Sequence, residues 1–162
     1  MRKQPTYNAN VNKDLIHPTL VKVIEKAKIA FEGKFPHLQV RVLEGHRSKE
    51  SQAARFAQGR ATLPVVNQLR KLAGEPPLTS NKQNFRVTFL EAGKSKHERT
   101  PSEAFDVGIF DAQTGAYYTD NKDGYYTEYA KVAGSFYPAL KWGGNFKDRK
   151  GRPFIDAPHF EL

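Results

Sequence analysis

The residues that most decide the fold are 104–119, which read AFDVGIFDAQTGAYYT. Residues 104–110 are rich in the aliphatic and aromatic side chains that favour strands. Residues 111–115 carry polar side chains and a glycine, as turns do, and two tyrosines follow within 116–119. We therefore predict two antiparallel strands joined by a short turn.

Upstream of this hairpin the pattern predicts a helix and then a strand. Pro18 suits a first helical position, and Gly33 suits the end of the helix. Between them, apolar side chains recur at helical spacing: Leu20, Val21, Val23, Ile24, Ala27 and Phe31. Apolar residues then occupy every second position from 38 to 42, which predicts a half-buried strand over 38–43.

The middle of the chain alternates between regular and irregular segments. A helix is predicted between Ser48, a suitable cap, and Gly59. Residues 60–84 contain three prolines and a glycine, so they predict a long surface excursion with one helical turn near 65–72. A strand is predicted over 86–90.

The last third completes an α+β domain. A helix is predicted over 126–140, a short strand over 140–146 and a terminal strand over 158–162. The resulting fold is a small mixed, mainly antiparallel sheet flanked by helices. We expect one domain over 1–162, with 1–35 as an N-terminal helical segment packed on it and 60–84 as a surface insertion.

Composition limits the chemistry and the partners. The 162 residues contain no cysteine, so a transition metal would be held by histidine and carboxylate. The net charge of +9 favours an anionic partner, but no RNA-binding aromatic motif organises the basic residues, and no nucleic acid is expected. The N-terminus, MRKQPTYN, lacks the apolar run of a secretory signal. We expect a soluble protein made in the cytoplasm, without stable membrane insertion.

Three side chains in two short segments have the make-up of a hydrolytic zinc site. His97 and Asp106 lie in SKHERTPSEAFD, residues 95–106, and His159 lies in DAPHFEL, residues 156–162. Two imidazoles and one carboxylate leave a fourth position for water. Asp156 is the preferred base for that water, and Glu161 either orients a ligand or replaces Asp156. This pattern predicts a metallopeptidase.

Other candidate ligands have simpler interpretations. We assign His17, His37 and His46 structural roles. Residues 120–124, DNKDG, resemble part of a calcium loop, but the first and last ligand positions would fall on Thr119 and Ala130 instead of carboxylates. A polar turn that caps the following helix is the better interpretation.

Four ordered motifs resemble a known family of zinc peptidases. Ser95-Lys96-His97 followed by Ala104-Phe105-Asp106 is similar to the Ser-x-His…Ala-x-Asp signature of D-alanyl-D-alanine carboxypeptidases and dipeptidases and phage L-alanyl-D-glutamate endopeptidases. Residues 44–52, EGHRSKESQ, resemble the family's Gly-aromatic-Arg-Ser…Gln segment. Trp142-Gly143-Gly144 and residues 156–161 resemble the segments that lead to the last ligand. The resemblance runs from about Val40 to the C-terminus.

The resemblance implies a role for each matching residue. It implies the fold of the hedgehog and D,D-peptidase proteins, one Zn²⁺ bound by His97, Asp106 and His159, and Asp156 as general base. Arg47 would steady the substrate and the charge that grows on it, the alternative being a surface ion pair with Glu44 or Glu50. Three further residues would contact substrate, although Trp142 is equally suited to the core: Ser95, Gln52 and Trp142.

The chain departs from the family in the loop between the first two ligands. In the commonest signature the aspartate comes seven residues after the histidine, and a glycine lies between them. Here the separation is nine, and Ser102 stands in the usual place of the glycine. The base is Asp156, where many members have glutamate.

The resemblance implies a peptidase of the bacterial cell wall. The leading expectation is a monomeric bacteriophage endolysin, an antimicrobial hydrolase that cleaves L-alanyl-D-glutamate bonds of peptidoglycan. It would accumulate in the host cytoplasm and reach the wall when a holin opens the membrane. Its positive charge would favour anionic wall polymer or outer-membrane lipid. The alternatives are a D-alanyl-D-alanine carboxypeptidase and a non-catalytic basic wall-binding module.

Overall fold

The structure, a computed structural model, describes residues 4–162. The predicted basic N-terminus and the predicted segment 1–35 begin with residues 1–3, which lie outside the described residues. The helices and strands are, in chain order, α1 (Pro18–Lys34), β1 (Leu38–Glu44), α2 (Lys49–Ala57), α3 (Leu63–Leu72), β2 (Ala104–Asp111), β3 (Tyr117–Tyr118), α4 (Tyr125–Phe136), β4 (Lys141–Trp142) and β5 (His159–Glu161).

Contacts divide the chain into two compact units. The first comprises the chain up to His46 together with Thr100–Leu162, and the second is Arg47–Arg99.

The first unit contains an antiparallel five-stranded sheet in the order β1-β2-β5-β4. The long strand β2 pairs along its length with β1, and its other edge is shared by β5 at one end and β3 at the other. Register fixes which residues meet: Asp106 is opposite His159 on β5, and Ile109 is opposite Tyr118 on β3. The predicted hairpin and the predicted α+β fold class are confirmed.

One face of this sheet carries the core of the first unit. α1 packs on β1 and α4, because its apolar side chains recur at helical spacing. Phe31 and Tyr129 meet edge to face with ring centroids 5.6 Å apart, and Tyr129 meets Phe160 of β5 at 5.3 Å. The aromatic contacts therefore join both helices to the strand that carries His159.

The second unit is built on α2 and α3. Glu75 joins them, because it accepts a hydrogen bond from Ser51 of α2 and pairs with Arg70 of α3 at 3.3 Å. Residues 60–84 thus contain a complete helix, where the sequence predicted only a single helical turn.

The predicted strand over 86–90 is wrong. These residues have no strand partner, and two of their carbonyl groups accept hydrogen bonds from side chains instead. No helix among residues 4–162 is long and apolar enough to cross a membrane.

Candidate metal centre

Strand pairing places Asp106 and His159 side by side. They are direct partners in the antiparallel register of β2 and β5. Opposed residues of neighbouring strands project from the same face, and the Nδ1 atom of His159 lies 3.0 Å from an Asp106 carboxylate oxygen. On the other side of β2, the register of β1 shifts between Val42 and Glu44, and Glu44 is opposite Asp106. Such bulges are over-represented beside active sites.

His97 is held by a capped single turn of 3-10 helix, Lys96–Glu98. The Ser95 hydroxyl accepts the backbone N–H of His97 at 3.3 Å, and the Glu98 carboxylate accepts that of Ser95 at 3.0 Å. This capping box fixes the turn from both ends. The carbonyl of His97 accepts the N–H of Arg47 at 2.9 Å, and His97 is only 2% exposed. Its backbone is therefore closely fixed. The role of Ser95 in substrate binding stays a prediction.

The three predicted ligands come together. His97, Asp106 and His159 each offer one ligand atom, and these atoms all lie within 4.8 Å of one another. Both histidines are buried. Two imidazole nitrogens and one carboxylate oxygen suit zinc, which takes such a set in tetrahedral geometry and keeps one position open in hydrolytic sites. The donor set therefore fits the ion that the sequence predicts, and this group can hold a metal.

The Glu161 carboxylate contacts the Nε2 atom of His159. This carboxylate is 3.0 Å from Nε2, whereas Asp106 is 3.0 Å from Nδ1 of the same ring. Metal-binding histidines commonly donate their second ring N–H to a carboxylate, which fixes the tautomer and the ring orientation. Glu161 has this geometry, which favours orientation of His159 over a role as base.

The surroundings of His159 favour a positive charge. Burial alone would lower the pKa of His159, but the hydrogen bonds to Asp106 and Glu161 outweigh burial and raise that pKa to about 9. The nearby charge of Asp156 acts in the same direction. A cluster of carboxylates that retains a proton on an imidazole also attracts a metal cation, and metal binding would displace that proton.

Asp156 is exposed, and backbone hydrogen bonds fix the turn in which it lies. Its N–H donates to the Gly143 carbonyl at 2.9 Å, and its own carbonyl accepts the N–H of His159 at 3.1 Å. A Cβ atom on Gly143 would lie 2.1 Å from the Asp156 oxygen, so only glycine fits there without displacement. Trp142 is half-buried and donates from Nε1 to the Ala157 carbonyl at 2.7 Å. Trp142 and Gly143 thus hold the turn that carries Asp156.

Arg47 and Gln52 are bonded to each other. The Arg47 guanidinium donates to the Gln52 amide oxygen at 2.6 Å, and the Gln52 amide nitrogen donates to the Leu90 carbonyl at 2.6 Å. Gln52 is fully buried. Both ends of its amide are therefore engaged within the protein, and Gln52 holds Arg47 in place. Contact of either residue with substrate stays a prediction.

The enlarged loop after His97 is anchored by Ser102. This residue is fully buried, and its hydroxyl donates to the Ala104 carbonyl at 2.7 Å. The Ser102 backbone also pairs with Ile16, and its N–H donates to the Leu15 carbonyl at 2.7 Å. The loop thus enters β2 from a fixed point. The N-terminal residues that supply this anchor gave no recognisable sequence signal.

The remaining polar candidates have structural contacts. His46 lies 3.4 Å from the Thr100 hydroxyl, and the His17 ring accepts the Thr19 N–H at the start of α1. In the segment that resembles a calcium loop, Asn121 accepts the N–H groups of Tyr126 and Thr127. It therefore caps α4, as predicted.

Comparison with known proteins gives a likeness of fold. No protein-family model matches the sequence, and no curated protein matches it. Among solved structures, the chain is similar to the L-Ala D-Glu endopeptidase ChiX of Serratia marcescens, with a TM-score of 0.52 and 21% sequence identity. The likeness covers 96% of this chain and 89% of that chain. The α+β fold of this chain is thus similar to that of a known L-Ala D-Glu endopeptidase.

Proposed function

We propose that this protein is a zinc-dependent peptidoglycan peptidase that hydrolyses the L-alanyl-D-glutamate bond of stem peptides. The observation that carries the proposal is the convergence of His97, Asp106 and His159, whose ligand atoms lie within 4.8 Å of one another. The likeness of fold to an L-Ala D-Glu endopeptidase supports the choice of bond.

His97, Asp106 and His159 would hold the ion, and Glu161 would orient His159 through Nε2 at 3.0 Å. When bound, zinc polarises a carbonyl and brings the pKa of its water close to 7. The protein's own contribution is to order the ligands: β2 and β5 hold Asp106 and His159 side by side, and a capped turn fixes the backbone of His97.

Asp156 would accept the proton of the attacking water and return it to the leaving amine. Its position supports this role: it is exposed, and its backbone is bonded to Gly143 and to the N–H of His159. A base must lie within hydrogen-bond reach of the proton that it takes, and it must keep that position. The contact with Gly143 supplies this constraint.

Arg47 would bind the substrate carbonyl or carboxylate and stabilise the negative charge that grows on oxygen. A guanidinium stays protonated and offers several donors, so it is suited to an oxyanion. The hydrogen bond to buried Gln52 fixes the Arg47 guanidinium in place, which supports this role.

We also propose that the enzyme lyses bacteria as a phage endolysin, acting from the host cytoplasm after a holin opens the membrane. The net charge of +9 supports attraction to an anionic envelope. Lysis of intact cells with and without a membrane-permeabilising agent tests this role. Lysis that depends on permeabilisation is expected.

Mass spectrometry of digested muropeptides tests the choice of bond. Products with a new amino terminus on D-glutamate are expected from the natural protein and not from a His97→Ala variant. Release of D-alanine alone would instead establish a D,D-carboxypeptidase. Wall binding without any released product would establish a non-catalytic module.

A further inference from the structure

The segment 85–90 exposes a run of large apolar side chains. Phe85 is 60% exposed, Val87 is 45%, Phe89 is 61% and Leu90 is 47%. Single exposed apolar residues are ordinary, but a contiguous group of this kind marks an interaction site. The segment follows α3 and belongs to the second unit.

Part of the polar backbone of this segment is bonded within the protein. The Thr88 carbonyl accepts from the Arg60 guanidinium at 3.1 Å, and the Leu90 carbonyl accepts from the Gln52 amide at 2.6 Å. The Leu90 N–H donates to the Thr88 hydroxyl at 3.1 Å. These bonds lower the cost of moving the three groups out of water, because an unsatisfied peptide group in an apolar phase is expensive.

The start of the segment is fixed to the second unit. Asn84 accepts the Gly59 N–H at 2.8 Å and donates to the Ala61 carbonyl at 2.9 Å. Gly59 has a φ of +73°, and a Cβ atom there would lie 2.4 Å from the Arg86 nitrogen. Position 59 thus requires glycine, both for its positive φ and for the close approach of the Arg86 backbone nitrogen. The apolar side chains are displayed on a fixed backbone.

Basic residues lie within and beside the apolar segment in the sequence, and Arg60 contacts it through the Thr88 carbonyl. Arg60, Lys82, Arg86 and Lys94 are all exposed. Glu91 is the only acidic residue in 80–94. Exposed apolar side chains between basic residues complement the surface of an anionic bilayer, where the cations meet lipid phosphates and the apolar groups enter the boundary with the acyl chains.

We propose that the segment 85–90 docks the protein on an anionic lipid bilayer surface. Glycan strands fit it less well, because Val87 and Leu90 have no ring face to stack on a sugar. Docking of this kind is shallow and reversible, and it requires no membrane-spanning helix. The docking proposal does not rest on the proposed peptidase activity, since none of the four apolar side chains belongs to the metal centre.

Vesicle co-sedimentation of the full-length protein tests the proposal. Vesicles of phosphatidylglycerol and phosphatidylcholine are compared with vesicles of phosphatidylcholine alone. Binding to the anionic vesicles is expected, and it should weaken at high salt. Phe85→Ser and Val87→Ser should each weaken it by roughly tenfold, and Arg86→Gln by roughly fivefold.

Matched controls lie on α3 of the same unit. Val65 is 50% exposed and Leu72 is 66% exposed, so Val65→Ser and Leu72→Ser remove similar apolar surface. They should leave vesicle binding unchanged, and every variant should retain its melting temperature within a few degrees, as surface changes do. Equal binding to both kinds of vesicle, or equal loss in the α3 controls, would overturn the proposal. The proposal would also be overturned if the natural protein failed to bind the anionic vesicles and the Phe85 variant instead lost binding to lipid-free peptidoglycan.

Discussion

Gly143→Ala should abolish the proposed peptidase activity by moving Asp156. The added Cβ atom would lie 2.1 Å from the Asp156 carbonyl oxygen and 3.0 Å from its Cβ atom. Side-chain Cβ atoms essentially never approach another heavy atom closer than 3.0 Å. The turn that carries Asp156 must therefore retreat by roughly 1 Å, a misplacement that can cost about 100-fold in rate.

The same displacement has a measurable cost in stability. The Asp156 N–H donates to the Gly143 carbonyl at 2.9 Å, and the Asp156 carbonyl accepts the His159 N–H at 3.1 Å, so both bonds are strained together. Overpacking of this kind costs about 1–3 kcal/mol in the free energy of unfolding. Because His159 is a proposed ligand, zinc affinity should also fall.

The assay is steady-state hydrolysis of a soluble stem peptide, with metal content and thermal unfolding measured on the same samples. Gly134→Ala is the matched control, because nothing lies within 4 Å of a Cβ atom on Gly134 in α4. That variant should keep full activity and gain up to about 1 kcal/mol, since alanine favours a helix. If Gly143→Ala retained kcat within a factor of about two, a fixed Asp156 would not be needed and the assigned base would be refuted.

Four further perturbations test separate parts of the site. Asp156→Asn should lower kcat by about 100-fold or more while zinc stays bound, because the base is lost and the ligands are not; unchanged kcat would point to another base. Glu161→Gln should weaken zinc affinity by about 10–100-fold, measured by competition with a chromophoric chelator, and an unaltered affinity would argue against its orienting role. Gln52→Ala should lower kcat more than it raises KM, because Arg47 would lose its support at 2.6 Å; a pure KM effect would indicate that Gln52 binds substrate instead. Hydrogen bonds to two lysines lower the pKa of Glu128 from 4.5 to about 2, so its contribution to stability is present above pH 4.5 and is lost as the pH falls towards 2. Urea unfolding of Glu128→Gln should therefore differ from the natural protein at neutral pH and converge with it in acid; a constant difference would exclude this linkage.

Periodicity and turn chemistry predicted the elements that have strong local signals. The strand over 104–110 and its turn were recognisable because strand-forming residues are followed by DAQTG, and the structure has β2 and β3 there. The helix from Pro18 was equally clear, since its apolar spacing matches the face that packs on β1. These elements place Asp106 on β2, but their sequence patterns do not predict which residue lies opposite it on the neighbouring strand.

The segments that failed depend on contacts distant in sequence. Residues 86–90 have the composition of a strand, yet two of their carbonyls, those of Leu90 and Thr88, accept hydrogen bonds from the side chains of Gln52 and Arg60. Periodicity cannot predict that a side chain more than twenty residues away will replace a strand partner. The helix α3 was underestimated because prolines and glycines surround it, although Pro64 lies in its first turn, where proline is tolerated.

The candidate ligands were predictable as residue types but not as a geometry. Histidine and carboxylate in a chain without cysteine indicated the metal, and the register of β2 and β5 explains why Asp106 meets His159. The alternative roles of Glu161 could not be separated by spacing. They required the observation that its carboxylate faces Nε2 while Asp106 faces Nδ1.

Digestion of purified peptidoglycan, with and without chelator and with zinc restored, tests the central proposal most directly. The proposal predicts stem peptides cut between L-alanine and D-glutamate, no products after chelation, and recovery when zinc is returned. It also predicts no products from His159→Ala under any of these conditions. Products that persist at the same rate after metal removal, or that appear undiminished in the His159 variant, would contradict a metal-dependent site built from His97, Asp106 and His159.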